Sequence, residues 1–238
     1  DVGQGDCFVA DTKSGAIIFD GGSSSEDQVG RYRILPYMKY LGYQKIQIAV
    51  ISHMDIDHYS GIKELLEMGK IKYLGLPEIP KDETMKKIIG IAKKRGTTIF
   101  YLSRGRQITT KDGSLKVLHP QKNSQMEKNA ASLVMQGKIL GYRVLLTGDV
   151  EKEGEEELLS EELERADILK AAHHGSKNST SNEFLQKVQP KQTVISCGKQ
   201  NRYGHPHLET IHRLQTYHTK IYRTDRSGAI IFFKRRDG

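Results

Sequence analysis

Residues 46–58 constrain this chain more than any other stretch, because Ile-Gln-Ile-Ala-Val-Ile-Ser runs straight into His53-Met54-Asp55-Ile56-Asp57-His58. A nearly all-apolar run of strand length is what a sheet covered on both faces requires. The residues that follow it at once include four side chains of metal-ligand type: His53, Asp55, Asp57 and His58. Imidazole nitrogen and carboxylate oxygen are the donors that divalent catalytic metals take. In a turn beyond a strand end, alternate residues converge on one point while their neighbours serve a second, so a pair of metals fits this spacing. A polar turn that is acidic by accident does not account for such density between two apolar segments.

Two later strand ends repeat the design. Arg143–Thr147 delivers Thr147-Gly148-Asp149, and Asp167–Ala172 delivers His173-His174-Gly175-Ser176. Adjacent histidines on an extended segment point to opposite sides, so both reach one metal only if the chain turns there. Three strand ends presenting His or Asp point to one shared site. Asp57 is placed to steer or deprotonate an attacking water. Lys170, on the strand face of His174, and His173 are candidates for holding a phosphate or protonating a leaving oxygen. Asp20, ahead of Gly21-Gly22, is expected to orient a ligand from behind. His205, held extended by Pro206, is a candidate for lining the site, ahead of His207.

Apolar periodicity and turn residues elsewhere predict strands at Cys7–Ala10, Ala16–Asp20, Tyr73–Leu76, Thr98–Leu102, Ser114–Leu118, Ser132–Gln136 and Gln192–Ser196. Helices are expected at Arg31–Leu41, Gly61–Met68, Glu83–Arg95, Glu151–Leu163, Asn182–Val188 and Leu208–Thr216, with Lys220–Thr224 and Ala229–Lys234 as a closing hairpin-like pair. His119 falls in an expected loop. This mixed order suits the α+β class, a two-sheet sandwich with helices packed outside, better than a doubly wound parallel sheet.

With 238 residues the chain accommodates one large domain. Cys7 and Cys197 stand in no ligand spacing, so neither a disulfide framework nor a thiolate zinc site is indicated. A net charge of +8 favours polyanionic partners such as nucleic acid. Arg31, Arg33, Lys39, Arg104, Arg106, Lys177, Lys199 and Arg202 are scattered candidates for that contact, with no single face assignable. No apolar run approaches the roughly 18–20 residues that cross a bilayer. The opening Asp1-Val2-Gly3-Gln4-Gly5-Asp6 is no signal peptide and reads as a strand end and its turn, so the segment is expected to lie inside a larger protein.

His-x-Asp-x-Asp-His, then Thr-Gly-Asp, then His-His-Gly-Ser resembles the metallo-β-lactamase fold superfamily over the whole chain. The opening Asp1–Asp6, Asp20-Gly21-Gly22 and Asn201-Arg202-Tyr203-Gly204-His205-Pro206-His207 narrow the likeness to the soluble domain of the ComEC family of DNA-uptake competence proteins. That resemblance implies a four-layer αββα sandwich in a single domain, 1–238. It implies two divalent metal ions, Mn²⁺ or Zn²⁺, and no small organic cofactor. His53 and Asp55 would bind one metal, Asp57 and His58 the second, with Asp149 bridging and His174 completing the second site.

The chain departs from the superfamily pattern at Asp55, where histidine is usual, and by lacking the histidine that precedes the bridging aspartate; Asn129 or Ser132 stands there. Fewer nitrogen donors shift preference towards harder ions such as Mn²⁺. The implied activity is a metal-dependent phosphodiesterase, a nuclease degrading one strand of imported DNA. Its implied neighbour is a membrane-channel domain of the same polypeptide, with this segment on the extracytoplasmic face. A small-molecule phosphodiesterase or esterase of the same fold, and a non-catalytic DNA-binding module, are the alternatives.

Overall fold

The chain, seen here in a computed structural model that describes residues 1–126 and 128–233, is built on two sheets. The first takes β1 (Phe8–Thr12), β2 (Gly15–Phe19), β3 (Ile46–Val50), β4 (Ile71–Pro77) and β5 (Thr98–Leu102) in sequence order. Only β1–β2 is antiparallel; β2 through β5 run parallel. The second sheet contains β6 (Gln107–Thr110), β7 (Gly113–His119), β8 (Val134–Ile139), β9 (Tyr142–Leu146), β10 (Ile168–Lys170), β11 (Gln192–Ile195) and β12 (Lys220–Arg223). Here β6 to β9 form an antiparallel meander, and β9 to β12 run parallel.

Side-chain alternation along the strands sorts the core into three slabs. Ile17, Phe19 and Val50 of the first sheet meet Val117, Met135, Val144, Leu146, Ile168 and Val194 of the second between the sheets. Their neighbours Ile18, Ala49 and Ile51 face outwards against α1 (Leu35–Tyr40), α2 (Ile56–Glu67) and α3 (Glu83–Lys94), through Met38, Ile62, Leu65, Met85 and Ile88. On the other side Leu145, Leu169 and Ile195 pack against α4 (Lys152–Leu159), α5 (Asn182–Val188) and α6 (Leu208–Thr216), through Leu158, Phe184, Leu185, Val188 and Leu214. The layering is αββα, as expected.

Three expectations need correction. Arg31–Leu41 is not one α-helix: Gly30–Ile34 is a π-helical turn that leads into α1, with Pro36 at the junction. The closing hairpin is absent, since Thr224–Ser227 forms a short helix, α7, after β12 and residues 229–233 carry no strand; Lys234 lies outside the described residues. His119 is not a loop residue. It ends β7, fully buried, with Nε2 2.7 Å from the Ala130 carbonyl and Nδ1 3.3 Å from Glu157.

Candidate metal centre

The C-terminal ends of β2, β3, β9, β10 and β11 open on one place, and each supplies a polar group to it. Beyond β3, α2 begins at Ile56, five residues earlier than the expected Gly61, with Asp55 as its extended N-cap. That early start puts Asp57 and His58 in the first turn, where the helix dipole favours a carboxylate. The turn is clamped by backbone packed on backbone. A Cβ on Gly22 would stand 2.5 Å from the Ile56 carbonyl oxygen, and one on Gly5 2.2 Å from that of Gly22. Gly22→Ala is therefore expected to displace the His53–His58 turn at a cost of about 1–3 kcal/mol, with weaker metal uptake. Thermal unfolding and metal titration check it; wild-type values for both would contradict it.

Past β10 the chain turns sharply. His173 (φ 48°) and His174 (φ 53°) are consecutive left-handed residues, a conformation costing of the order of 1–3 kcal/mol per residue that clusters at functional sites. The turn sends His174 inward, fully buried, and leaves His173 at the rim.

Three histidines are oriented alike from behind. His58 Nδ1 lies 3.0 Å from Asp20 Oδ2, His174 Nδ1 lies 2.9 Å from the Ser196 carbonyl, and His53 Nδ1 lies 3.0 Å from Ser52 Oγ. Ser52 Oγ–H in turn donates to Asp20 Oδ2, and Ser52 N–H to Oδ1. Carbonyl and carboxylate only accept, so each ring holds a proton on Nδ1, which leaves Nε2 as the nitrogen a metal would take once it is unprotonated. Those three buried Nε2 atoms have no well-aligned hydrogen-bond partner among the described residues. Yet Asp149 Oδ2 is 3.2 Å from His58 Nε2 and 3.3 Å from His174 Nε2, and Asp57 Oδ2 is 3.3 Å from His174 Nε2.

Donor atoms of His53, His58 and Asp149 gather within 4.8 Å of one another, as do those of Asp57, His58 and His174. The residues present fit a pair of divalent ions. The expected pairing of His53 with Asp55 is not one of these triads: His58 groups with His53, while Asp55 stands at the rim with its side chain half exposed, Oδ2 3.8 Å from His53 Nε2. Asn129 Oδ1 is buried and unsatisfied. His207 turns away, accepting the Lys177 N–H at α6.

The electrostatics follow from burial set against charge. Burial depresses His53 to about 3. It also opposes charge on His58 and His174, but Asp149, with Asp20 at His58 and Asp6 at His174, outweighs it and raises both well above the usual histidine range. Asp149 and Asp57 are held below the carboxylate range despite burial, chiefly by His174 and His58. A metal must therefore displace protons from His58 and His174, so its affinity rises with pH. Calorimetry at pH 7 in buffers of different ionisation enthalpy should show proton release on metal binding. Identical heats in both buffers would contradict this.

Lys170 requires correction. Sequence alternation places its ammonium against a substrate phosphate; the structure buries it fully, 2.5 Å from Asp6 Oδ2 and 3.0 Å from Asp149 Oδ1, bonded also to the Gly148 carbonyl. It is a counter-cation behind Asp149. Asp6 was not identified from sequence. Its fully buried carboxylate, held at about 2 by Lys170 and His174 against the effect of burial, also lies 3.4 Å from His174 Nδ1. The one signal for it was a carboxylate after Gly3-Gln4-Gly5, directly before an apolar strand.

The cleft over these groups, about 240 Å³, is lined by Asp55, Ile56, Asp57, Asp149, His173 and His174 together with Arg202, Tyr203 and His205. Of the basic candidates, Arg202 lines this cleft, whereas Arg33 is paired with Glu26 and Arg104 with Glu157 and Glu161.

A family model of the metallo-beta-lactamase superfamily matches residues 1–199. The chain belongs to that superfamily. ComE operon protein 3 of Bacillus subtilis is 37% identical over 258 residues, covering 100% of this chain and 33% of the relative. Competence protein ComA of Neisseria gonorrhoeae is 30% identical over 248 residues, covering 100% and 32%. The chain thus spans about a third of the length of these curated relatives. Among solved structures, the metallo-beta-lactamase fold protein YhfI of Bacillus subtilis superposes with a TM-score of 0.61 at 13% identity, covering 92% of this chain and 89% of that one, which supports the fold.

Proposed function

We propose that the chain is a two-metal phosphodiesterase that hydrolyses DNA, degrading one strand during DNA uptake. The observation that carries this reading is the pair of overlapping donor triads that share His58, with Asp149 against both. Divalent ions held there would acidify water and neutralise charge developing at phosphorus. Asp57, ionised on the cleft wall, orients the water and takes its proton. His173 stands at the rim, with Nε2 3.9 Å from Asp149 Oδ2 and Nδ1 3.0 Å from Glu151 Oε1, where it can protonate a leaving oxygen. The +8 charge suits a phosphate polymer, and the competence relatives supply the biological setting.

Among the described residues no helix is long and apolar enough to cross a membrane. A channel domain elsewhere in the same polypeptide, with this domain on the extracytoplasmic face, is part of the proposal. The test is cleavage of linear DNA by purified protein with Mn²⁺, Mg²⁺ and Zn²⁺ added in turn, beside a small chromogenic diester, across a salt series. Cleavage is expected to be fastest with Mn²⁺, because Asp55 and Asn129 or Ser132 stand where the superfamily pattern supplies histidines, and to weaken steeply with salt for DNA alone. Turnover of the small diester without DNA cleavage would favour a small-molecule esterase. Full activity with Zn²⁺ and no gain from Mn²⁺ would refute the metal assignment.

A further inference from the structure

The loop from Gly198 to His207 contributes Arg202, Tyr203 and His205 to the lining of the cleft, adding aromatic rings to the basic groups that suit a phosphate. Tyr203 is 43% exposed. The Arg202 guanidinium lies over its ring at 4.9 Å and donates to its hydroxyl at 2.8 Å. The His205 ring stacks at 5.7 Å and 22° from that of Tyr203, and at 6.0 Å from the ring of the metal-site residue His174. A continuous line of flat rings thus leads from the donor cluster to solvent. The same cleft is lined by Ile56, an apolar side chain 54% exposed on the first turn of α2.

The loop is also built in advance. Asn201 Nδ2 donates to the carbonyls of Gly198 and His205, its Oδ1 accepts the His205 N–H, and Gly198 N–H reaches back to Gln4 Oε1. Pro206 packs so closely on Gly175 that a Cβ there would lie 2.6 Å away. Holding an exposed aromatic in place before binding reduces the ordering cost of whatever stacks on it.

We infer that Arg202 and Tyr203 form a stacking platform for an unpaired nucleobase beside the scissile phosphate, so that the enzyme acts on single strands or frayed ends. This rests on the nuclease reading above. Every base has a π face, so a tyrosine or guanidinium plane binds single strands with little regard to sequence. A base within a duplex is already stacked on both faces and cannot use the platform. A small diester without a planar group would leave both Tyr203 and Ile56 uncovered.

The test compares wild-type, Tyr203→Phe and Tyr203→Ala protein on a short single strand and on the same strand with one abasic nucleotide placed at successive positions. Tyr203→Ala is expected to raise KM about tenfold on the intact strand, while Tyr203→Phe keeps the wild-type value. One abasic position should cost wild-type protein the same factor and cost Tyr203→Ala nothing further. Fluorescence anisotropy of the labelled strand on metal-free protein should rank the variants identically. A Tyr203→Ala KM within twofold of wild type, or an abasic penalty that survives in that variant, overturns the platform while leaving the nuclease reading intact. Wild-type protein that cuts no DNA yet hydrolyses a small diester overturns both.

Discussion

Asp149→Asn is expected to lower hydrolysis at least about a hundredfold while the fold survives. One carboxylate oxygen sits 3.2 Å from His58 Nε2 and 3.3 Å from His174 Nε2, and the other 3.0 Å from Lys170. The Asp149 N–H is tied to Ser132 Oγ at 3.2 Å. An amide keeps the shape and that backbone bond but loses the negative charge that two cations would share. Lys170 retains Asp6 and the Gly148 carbonyl, so the core behind the site stays paired. Activity above about a tenth of wild type would remove Asp149 from its bridging place.

Lys170→Met should act in the opposite way, on stability before chemistry. The ammonium is fully buried between Asp6 and Asp149. Removing it strands two buried carboxylates, which costs roughly 3–5 kcal/mol when a buried pair loses one member. Urea unfolding of metal-free protein measures this, since a bound metal would mask part of the loss. Adding Asp6→Asn to Lys170→Met should recover part of it, because the two residues are coupled. Metal-free Lys170→Met within about 1 kcal/mol of wild type would refute the counter-cation role and return Lys170 to the substrate side.

The layer architecture was legible from the mixed order of strands and helices and from nearly all-apolar runs such as 46–52, which mark strands covered on both faces; which of Ile17, Ile18 and Phe19 faces the other sheet was not, because all three are apolar. The β6 strand was not, since Gln-Ile-Thr-Thr is short, mostly polar and lies at a sheet edge, where pairing rather than burial defines the strand. Dense motifs announced the donor residues, and the chain brings His53, Asp57, His58, Asp149 and His174 into one cluster. Asp6 escaped notice because a single carboxylate has no periodicity, and its meaning depends on Lys170, distant in sequence. The place of Lys170 is hidden from the sequence for a related reason. Alternation says which face a side chain takes but not whether that face meets solvent or a buried acid.

Anomalous diffraction from crystals soaked in Mn²⁺ tests the central claim most directly. Two manganese positions are expected, one at His53, His58 and Asp149 and the other at Asp57 and His174, with the Asp149 carboxylate reaching both. A single ion held by other residues, with Asp149 touching no ion, would contradict the two-metal centre.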